Sequence, residues 1–307
     1  MDGVGPDQRP EQPRSGLRPE LVSGSRPRAE HDAGAHRRQP SRGMYVLPSL
    51  FTAGNIAAGF YAITESVRGT GGDHWAFDHA ALAIGFAVVF DSVDGLVARK
   101  TGTTSDFGKE LDSLADVVTF GVAPALLAYV WGFRMLPQGL YPGLREKIVP
   151  LGVVFCFLFL ICGACRLARF NITVNPHPLN PGRPGRKYFV GMPIPAGAGV
   201  VASVIHCFDG NWIYDPRISV VWLLLLMGTG FLMVSRWRFW SGKEIQAGGR
   251  HPFQVVPLIA VAIAVVWKFS EYALITIALG YLVSGLIARL AYAWGRRRRL
   301  GAGSRQS

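Results

Sequence analysis

Asp91-Ser-Val-Asp94-Gly95-Leu-Val-Ala98-Arg99 closes one long apolar run, and Gly108-Lys-Glu-Leu-Asp112-Ser-Leu-Ala-Asp116 opens the next. An Asp at the centre of a membrane helix costs roughly 2.5 to 3.5 kcal/mol on insertion scales, and less near the interface. Four carboxylates in or beside such helices therefore need compensation. Asp91 and Asp94 are spaced i,i+3 and Asp112 and Asp116 i,i+4, so each pair shares one helical face. A short loop containing Gly102, Thr103, Thr104 and Ser105 returns the chain, which makes the two helices antiparallel neighbours with their carboxylate pairs face to face. Salt bridges to Arg99, Lys100 and Lys109 at a helix end are the plainer reading of any one of these Asp residues.

Four oxygen donors with no accompanying His or Cys select a hard cation, Mg²⁺ or Mn²⁺, over zinc or copper. Such an ion keeps positions open for water and phosphate oxygens. At a membrane interface it suits a substrate with a diphosphate head whose lipid tail stays in the bilayer. Small residues at Gly95 and Ala98 let a nucleotide approach the helix, and Arg99 is placed to pair with a phosphate.

Working outward from this stretch, the 307-residue chain is half apolar and only 17% charged, so a bilayer is its expected solvent. Apolar runs of spanning length occur at about 45–65, 78–98, 109–132, 148–169, 189–208, 218–236, 253–268 and 272–294. The expectation is an all-α membrane protein of about eight transmembrane helices, the last two joined as a tight hairpin. The net charge of +12 would suggest nucleic acid in a soluble protein. With eight spans and an inside amino terminus, however, 26 of the 32 Lys and Arg fall on one side and 6 on the other. That asymmetry puts both termini in the cytoplasm and turns the charge toward membrane lipids, with no nucleic-acid partner.

Residues 1–43 are rich in Arg, Pro, Gly and Ser with few large apolar side chains, and are expected to be a disordered basic segment with no secretory signal core. Residues 44–295 form the expected transmembrane catalytic domain. Residues 296–307 form a basic tail whose Arg296–Arg299 run either touches anionic headgroups or stops transfer. Cys156, Cys162, Cys165 and Cys207 all lie in apolar runs, so the Cys162-x-x-Cys165 spacing reads as packing, without zinc or redox chemistry.

Read as a whole, Asp91 to Asp116 has the form D-x2-D-G-x2-A-R-x8-G-x3-D-x3-D and resembles the signature of the CDP-alcohol phosphatidyltransferase family, with all eight specified positions filled. The resemblance implies a six-helix membrane core, here with two added helices, and a CDP-linked donor. It implies that Asp91, Asp94 and Asp112 are metal ligands and that Asp116 is both a ligand and the general base. Gly95, Ala98, Arg99 and Gly108 carry over as residues binding CDP-diacylglycerol. A homodimer is also implied.

Further segments resemble the bacterial integral-membrane phosphatidylserine synthases within that family. They are Leu47-Pro-Ser-Leu-Phe-Thr-Ala-Gly-Asn55-Ile-Ala-Ala-Gly59, Phe107 to Pro124, Cys162-Gly-Ala-Cys-Arg166-Leu-Ala-Arg169-Phe-Asn171 and Phe189-Val-Gly-Met-Pro193-Ile-Pro195-Ala. The implied acceptor is L-serine, at a cytoplasm-facing site of a multi-pass inner (plasma) membrane protein. Serine brings a carboxylate that a cation must hold. Arg166 or Arg169, with Asn171 a short step beyond, either holds that carboxylate, holds the donor phosphate, or anchors the helix end. Asn55 either reaches the donor head or bonds a neighbouring helix. Pro193 and Pro195, with Gly191 and Gly197, break the helical ladder at the start of the fifth run, beside a wet cavity or at a packing kink.

The nearest rival is a sister enzyme using glycerol phosphate or inositol phosphate, whose dianionic acceptor would want several cations. A transporter with intramembrane carboxylates is the rival from another class, although the hydropathy pattern shows no inverted repeat.

Overall fold

A computed structural model of the chain describes residues 46–101, 106–138, 141–173, 188–240 and 268–303, with the side chains at 46–49, 93–106, 142, 240 and 295–303 outside that description. The expected disordered segment 1–43 and the seventh apolar run, 253–268 apart from its last residue, lie outside the described residues.

Helices α1 (Val46–Gly69) and α2 (His74–Thr101) form an antiparallel hairpin. Its turn closes through Gly72, whose φ of +96° suits a residue without a Cβ. The third run is a continuous helical rod with two changes of pitch. It comprises α3 (Asp106–Asp116), a wider turn at Val117–Val122, α4 (Ala123–Tyr129) and a second wide turn at Val130–Arg134. At the first wide turn the Ala123 N–H reaches back five residues to the Val118 carbonyl. Pro124, which has no N–H to give, sits at the start of α4 and explains why the ladder relaxes there. Next come α5 (Pro142–Ile172), α6 (Ile194–Cys207), α7 (Pro216–Val234) and α8 (Ser270–Gly303). The last of these runs on through the four arginines of the tail.

The core is built from small residues and a few large rings. Ala76, Phe77, Ala80, Ala81, Ile84 and Ala87 bury one face of α2 against α1 and α6, as expected where helices approach closely in lipid. Gly59 brings α1 onto the rod: a Cβ there would stand 2.5 Å from Thr119 Oγ1. Outward-facing Phe60, Phe86, Phe90, Phe157, Val221 and Phe231 are exposed, the arrangement of a protein whose solvent is hydrocarbon.

Among the described residues, five helical stretches are long and apolar enough to cross a membrane: His74–Ser92, Phe107–Arg134, Gly143–Ile172, Pro216–Val234 and Ser270–Trp294. This is a mostly helical membrane protein. Helix α6 is apolar but has only 14 residues, rising about 21 Å. The fifth run is shortened because its first residues are not helical.

Tyr188–Val190 forms β1, which pairs antiparallel with β2 (Arg238–Trp240) in the register Tyr188↔Trp240 and Val190↔Arg238. A two-stranded ribbon of three residues each is thus added to the otherwise helical fold. The Pro-Gly break is a helix start: Gly191 has a φ of +78° and Pro193 caps α6 in an extended conformation. This turn packs on α7, with the Met192 N–H donating to the Leu232 carbonyl at 3.0 Å.

Candidate active site

Asp91 lies near the end of the apolar part of α2, and Asp112 and Asp116 sit one turn apart on α3. The antiparallel packing expected from the loop brings them together: one carboxylate oxygen from each lies within 4.8 Å of the others. Asp91 and Asp112 are half-buried, while Asp116 is buried at 8% exposure, deeper in the rod. Asp94, Gly95, Ala98 and Arg99 belong to the same helix, but their side chains lie outside the described residues. Gly108 is half-buried on α3, one turn before Asp112.

Three convergent carboxylates with only oxygen donors fit a hard divalent cation. They can supply part of an octahedral shell and leave the rest to water and phosphate. No sulfur or imidazole joins this group among the described residues.

The deepest carboxylate is held from α1. Asn55, with 0% exposure, donates from Nδ2 to Asp116 Oδ1 at 3.4 Å. Thr119 Oγ1, on the wide turn just past Asp116, donates to the Asn55 carbonyl at 2.9 Å. Asn55 therefore bonds a neighbouring helix, one of its two expected roles. Thr119 and Gly59 fall in segments that carry the family resemblance, but the sequence assigns neither a role, because a buried Thr and a helical Gly carry no spacing signal of their own.

The α5 residues separate into different roles. Arg166 is buried at 6% exposure, stacks over Phe170 at 5.1 Å and lies within electrostatic reach of Asp91 and Asp116. Its Nε has no hydrogen-bond partner among the described residues. Arg169 commits its guanidinium to backbone, with Nη1 donating to the Val234 carbonyl at 2.9 Å and Nη2 to those of Val190 and Ser235, both at 3.3 Å. It thereby pins α5 to the ends of β1 and α7. Asn171 donates to Ser113 Oγ at 2.8 Å, tying the last turn of α5 to the residue after Asp112. Tyr281 of α8, half-buried and near Arg166, also borders the site, although its apolar run offered no motif to mark it.

A second polar group occupies the opposite ends of the same helices. Asp78 of α2 meets His206 Nδ1 of α6, and His206 Nε2 meets Ser270 Oγ of α8 at 2.9 Å. Nearby Glu65 and Asp73 both pair with Arg68 at 3.1 Å. The four cysteines are free thiols.

The site geometry agrees with what the chain resembles. The model of the CDP-alcohol phosphatidyltransferase family matches residues 45–234. A Helicobacter pylori (strain 26695) protein named CDP-diacylglycerol–serine O-phosphatidyltransferase is 33% identical over 255 residues, covering 81% of this chain and 92% of the relative. A Bacillus subtilis (strain 168) protein of the same name is 34% identical over 199 residues, covering 64% and 90%. One from Saccharomyces cerevisiae is 37% identical over 171 residues, covering 55% and 56%. The matched region takes in both halves of the carboxylate cluster, Asn55 that steadies it and Arg166 that faces it, and on this agreement of residues, geometry and likeness the chain belongs to the CDP-alcohol phosphatidyltransferase family.

Proposed function

We propose that this protein transfers the phosphatidyl group of CDP-diacylglycerol to L-serine, giving phosphatidylserine and CMP. The observation that carries the reading is the convergence of Asp91, Asp112 and Asp116 at one end of α2 and α3, within a chain whose relatives bear that activity in their names. Asp94 completes the ligand set, and Gly95, Ala98, Arg99 and Gly108 form the donor-binding surface.

The serine hydroxyl oxygen attacks, in line, the phosphorus that carries diacylglycerol. A new P–O bond to serine forms as the bond to CMP breaks. Asp116 accepts the hydroxyl proton; a carboxylate is a weak base, so its fixed position by Asn55 contributes much of the effect. A Mg²⁺ or Mn²⁺ ion held by the Asp set would neutralise the diphosphate and the charge building on the leaving phosphate. Arg166, buried beside the carboxylates, holds an anionic group of the substrates, and a planar guanidinium suits the serine carboxylate. Arg169 and Asn171 keep α5 and its neighbours in register around that seat.

Eight spans in the catalytic domain 44–295, both termini in the cytoplasm, a plasma-membrane location and a homodimer belong to the same proposal. The charge asymmetry supports the orientation. With the native cysteines removed, a Cys at Gly71 should label from outside intact cells and one at Ser105 should not; the reverse would invert the topology. Light scattering of the detergent-solubilised protein reads the subunit number. The activity itself is tested by incubating purified protein with CDP-diacylglycerol, labelled serine and Mg²⁺ or Mn²⁺ and analysing the lipid. Labelled phosphatidylserine with matching CMP is the expected product. Turnover of glycerol 3-phosphate or inositol phosphate instead of serine would give the reaction to a sister enzyme.

A further inference from the structure

Asn55 is fully buried beside the carboxylates, and its hydrogen bonding is incomplete. An ionised carboxylate only accepts, so the atom facing Asp116 Oδ1 at 3.4 Å has to be the amide nitrogen. The amide oxygen is thereby fixed on the other side of the carboxamide. That Oδ1 is buried and has no hydrogen-bond partner among the described residues. A buried acceptor without a donor is costly, so its retention calls for a partner that the folded chain does not itself supply. The carboxamide cannot rotate to relieve it without turning its oxygen toward Asp116. Its backbone is held as well, by the bond from Thr119 Oγ1 and by the close approach of Gly59 to Thr119.

The complementary orphan is Arg166 Nε, a buried donor without an acceptor, on α5. Asp116 is common to both: Asn55 touches it and Arg166 lies within its electrostatic reach. The site therefore offers an unsatisfied acceptor and an unsatisfied cationic donor, both associated with the Asp116 carboxylate. Serine presents the matching groups on adjacent carbons: an ammonium, a carboxylate and the reacting hydroxyl. Resting on the proposed serine transfer, we infer that Asn55 Oδ1 accepts a hydrogen bond from the ammonium of the acceptor amino acid, and so selects an α-amino alcohol over an otherwise similar hydroxy acid. Asn55 is then a binding residue for the acceptor as well as the support of Asp116. The donor's cytosine amino group is the competing source of a proton for the same oxygen.

The test compares L-serine with 3-hydroxypropionate, which keeps the hydroxyl and carboxylate but lacks the ammonium. In full-length protein in detergent or lipid, the serine KM, the Ki of 3-hydroxypropionate against serine, and the CDP-diacylglycerol Kd are measured for wild type, Asn55→Leu and Asn55→Ser. None of the three quantities depends on the fraction of protein that folds. Loss of a hydrogen bond to a charged group should raise the serine KM by about 10- to 100-fold. The Ki of 3-hydroxypropionate and the donor Kd should each stay within about threefold. A serine KM and a 3-hydroxypropionate Ki that rise together, or a donor Kd that weakens in step with the serine KM, would overturn the inference while leaving serine transfer intact. Wild-type protein that turned over glycerol 3-phosphate and not serine would overturn both.

Discussion

The two ends of α2 carry buried acids in opposite circumstances. At the Asp78 end, acid meets base: Asp78 bonds His206, and Glu65 and Asp73 share Arg68. These contacts fasten α1, α2, α6 and α8 and give each of these acids a basic partner. At the Asp91 end, three acids converge within 4.8 Å of one another. Arg166, a cation within their electrostatic reach, keeps one buried donor atom without a hydrogen-bond partner among the described residues. Like charges gathered in a low dielectric are tolerated where a bound cation completes the group, whereas opposite charges already paired act as a fastening. Burial alone does not distinguish the two ends, and the pairing of each acid with a base does.

The strongest way to break this contrast is to neutralise the converging acids. Asp91→Asn, Asp94→Asn and Asp112→Asn each preserve shape, so membrane insertion should persist while turnover falls at least about 10²-fold and donor binding weakens. EDTA should silence the wild type, and Mg²⁺ or Mn²⁺ should restore it. Near-normal turnover in one variant would remove that residue from the ligand set.

Asp116→Asn sharpens the division of labour within the cluster. Asp116 lies deepest and is held by Asn55, so as the base it should lose turnover by about 10²-fold with little change in CDP-diacylglycerol affinity. Asp112→Asn should weaken both. The comparison is turnover against donor Kd at saturating metal, and equal loss of donor affinity in the two variants would leave Asp116 as another ligand.

The same contrast shows what the sequence could disclose. The Asp spacing was legible because period and loop length place i,i+3 and i,i+4 pairs on facing helices whatever the rest of the chain does. Arg166 was legible only as one of two arginines. Arg169 satisfies itself on three backbone carbonyls, an outcome decided by where β1 and α7 end. The ribbon of β1 and β2 pairs segments that are separated in sequence by α6 and α7, so no local pattern announces it. Thr119 is positioned by a pitch change that Pro124 hints at but does not specify. The Asp78–His206–Ser270 chain was invisible, since its members come from three helices with no shared spacing.

A smaller effect is expected where packing supports the cluster. Gly59→Ala would place a methyl 2.5 Å from Thr119 Oγ1 and 2.8 Å from its Cα, so α1 must move off the rod. Overpacking of this kind costs about 1 to 3 kcal/mol of stability. Because Asn55 rides on α1 one turn earlier, the displacement should also lengthen its bond to Asp116 and cut turnover about tenfold. Gly54→Ala, with nothing within 4 Å of its added methyl, is the matched control and should be near neutral in both. Equal behaviour of the two variants would show that the α1 contact does not set the site.

The smallest catalytic effect is expected at the Asp78 end, and it decides whether the contrast holds. Asp78→Asn and His206→Gln each remove one member of a buried pair, leaving the other short of a partner. Each should lower stability by about 1 to 3 kcal/mol, read as a shorter thermal half-life in detergent. The pair joins α2 to α6, and His206 continues to Ser270 on α8, yet none of the three residues belongs to the converging acids. Serine KM and turnover of the surviving protein should therefore stay within about threefold of wild type. If the two residues act as one fastening, the double variant should lose little more than either single change, since the second substitution removes the group that the first left unsatisfied. Additive losses would mean that Asp78 and His206 stabilise the helices separately. A tenfold loss of turnover in fully folded protein would mean that the two ends are coupled, and the pairing of acid with base would then not separate fastening from chemistry.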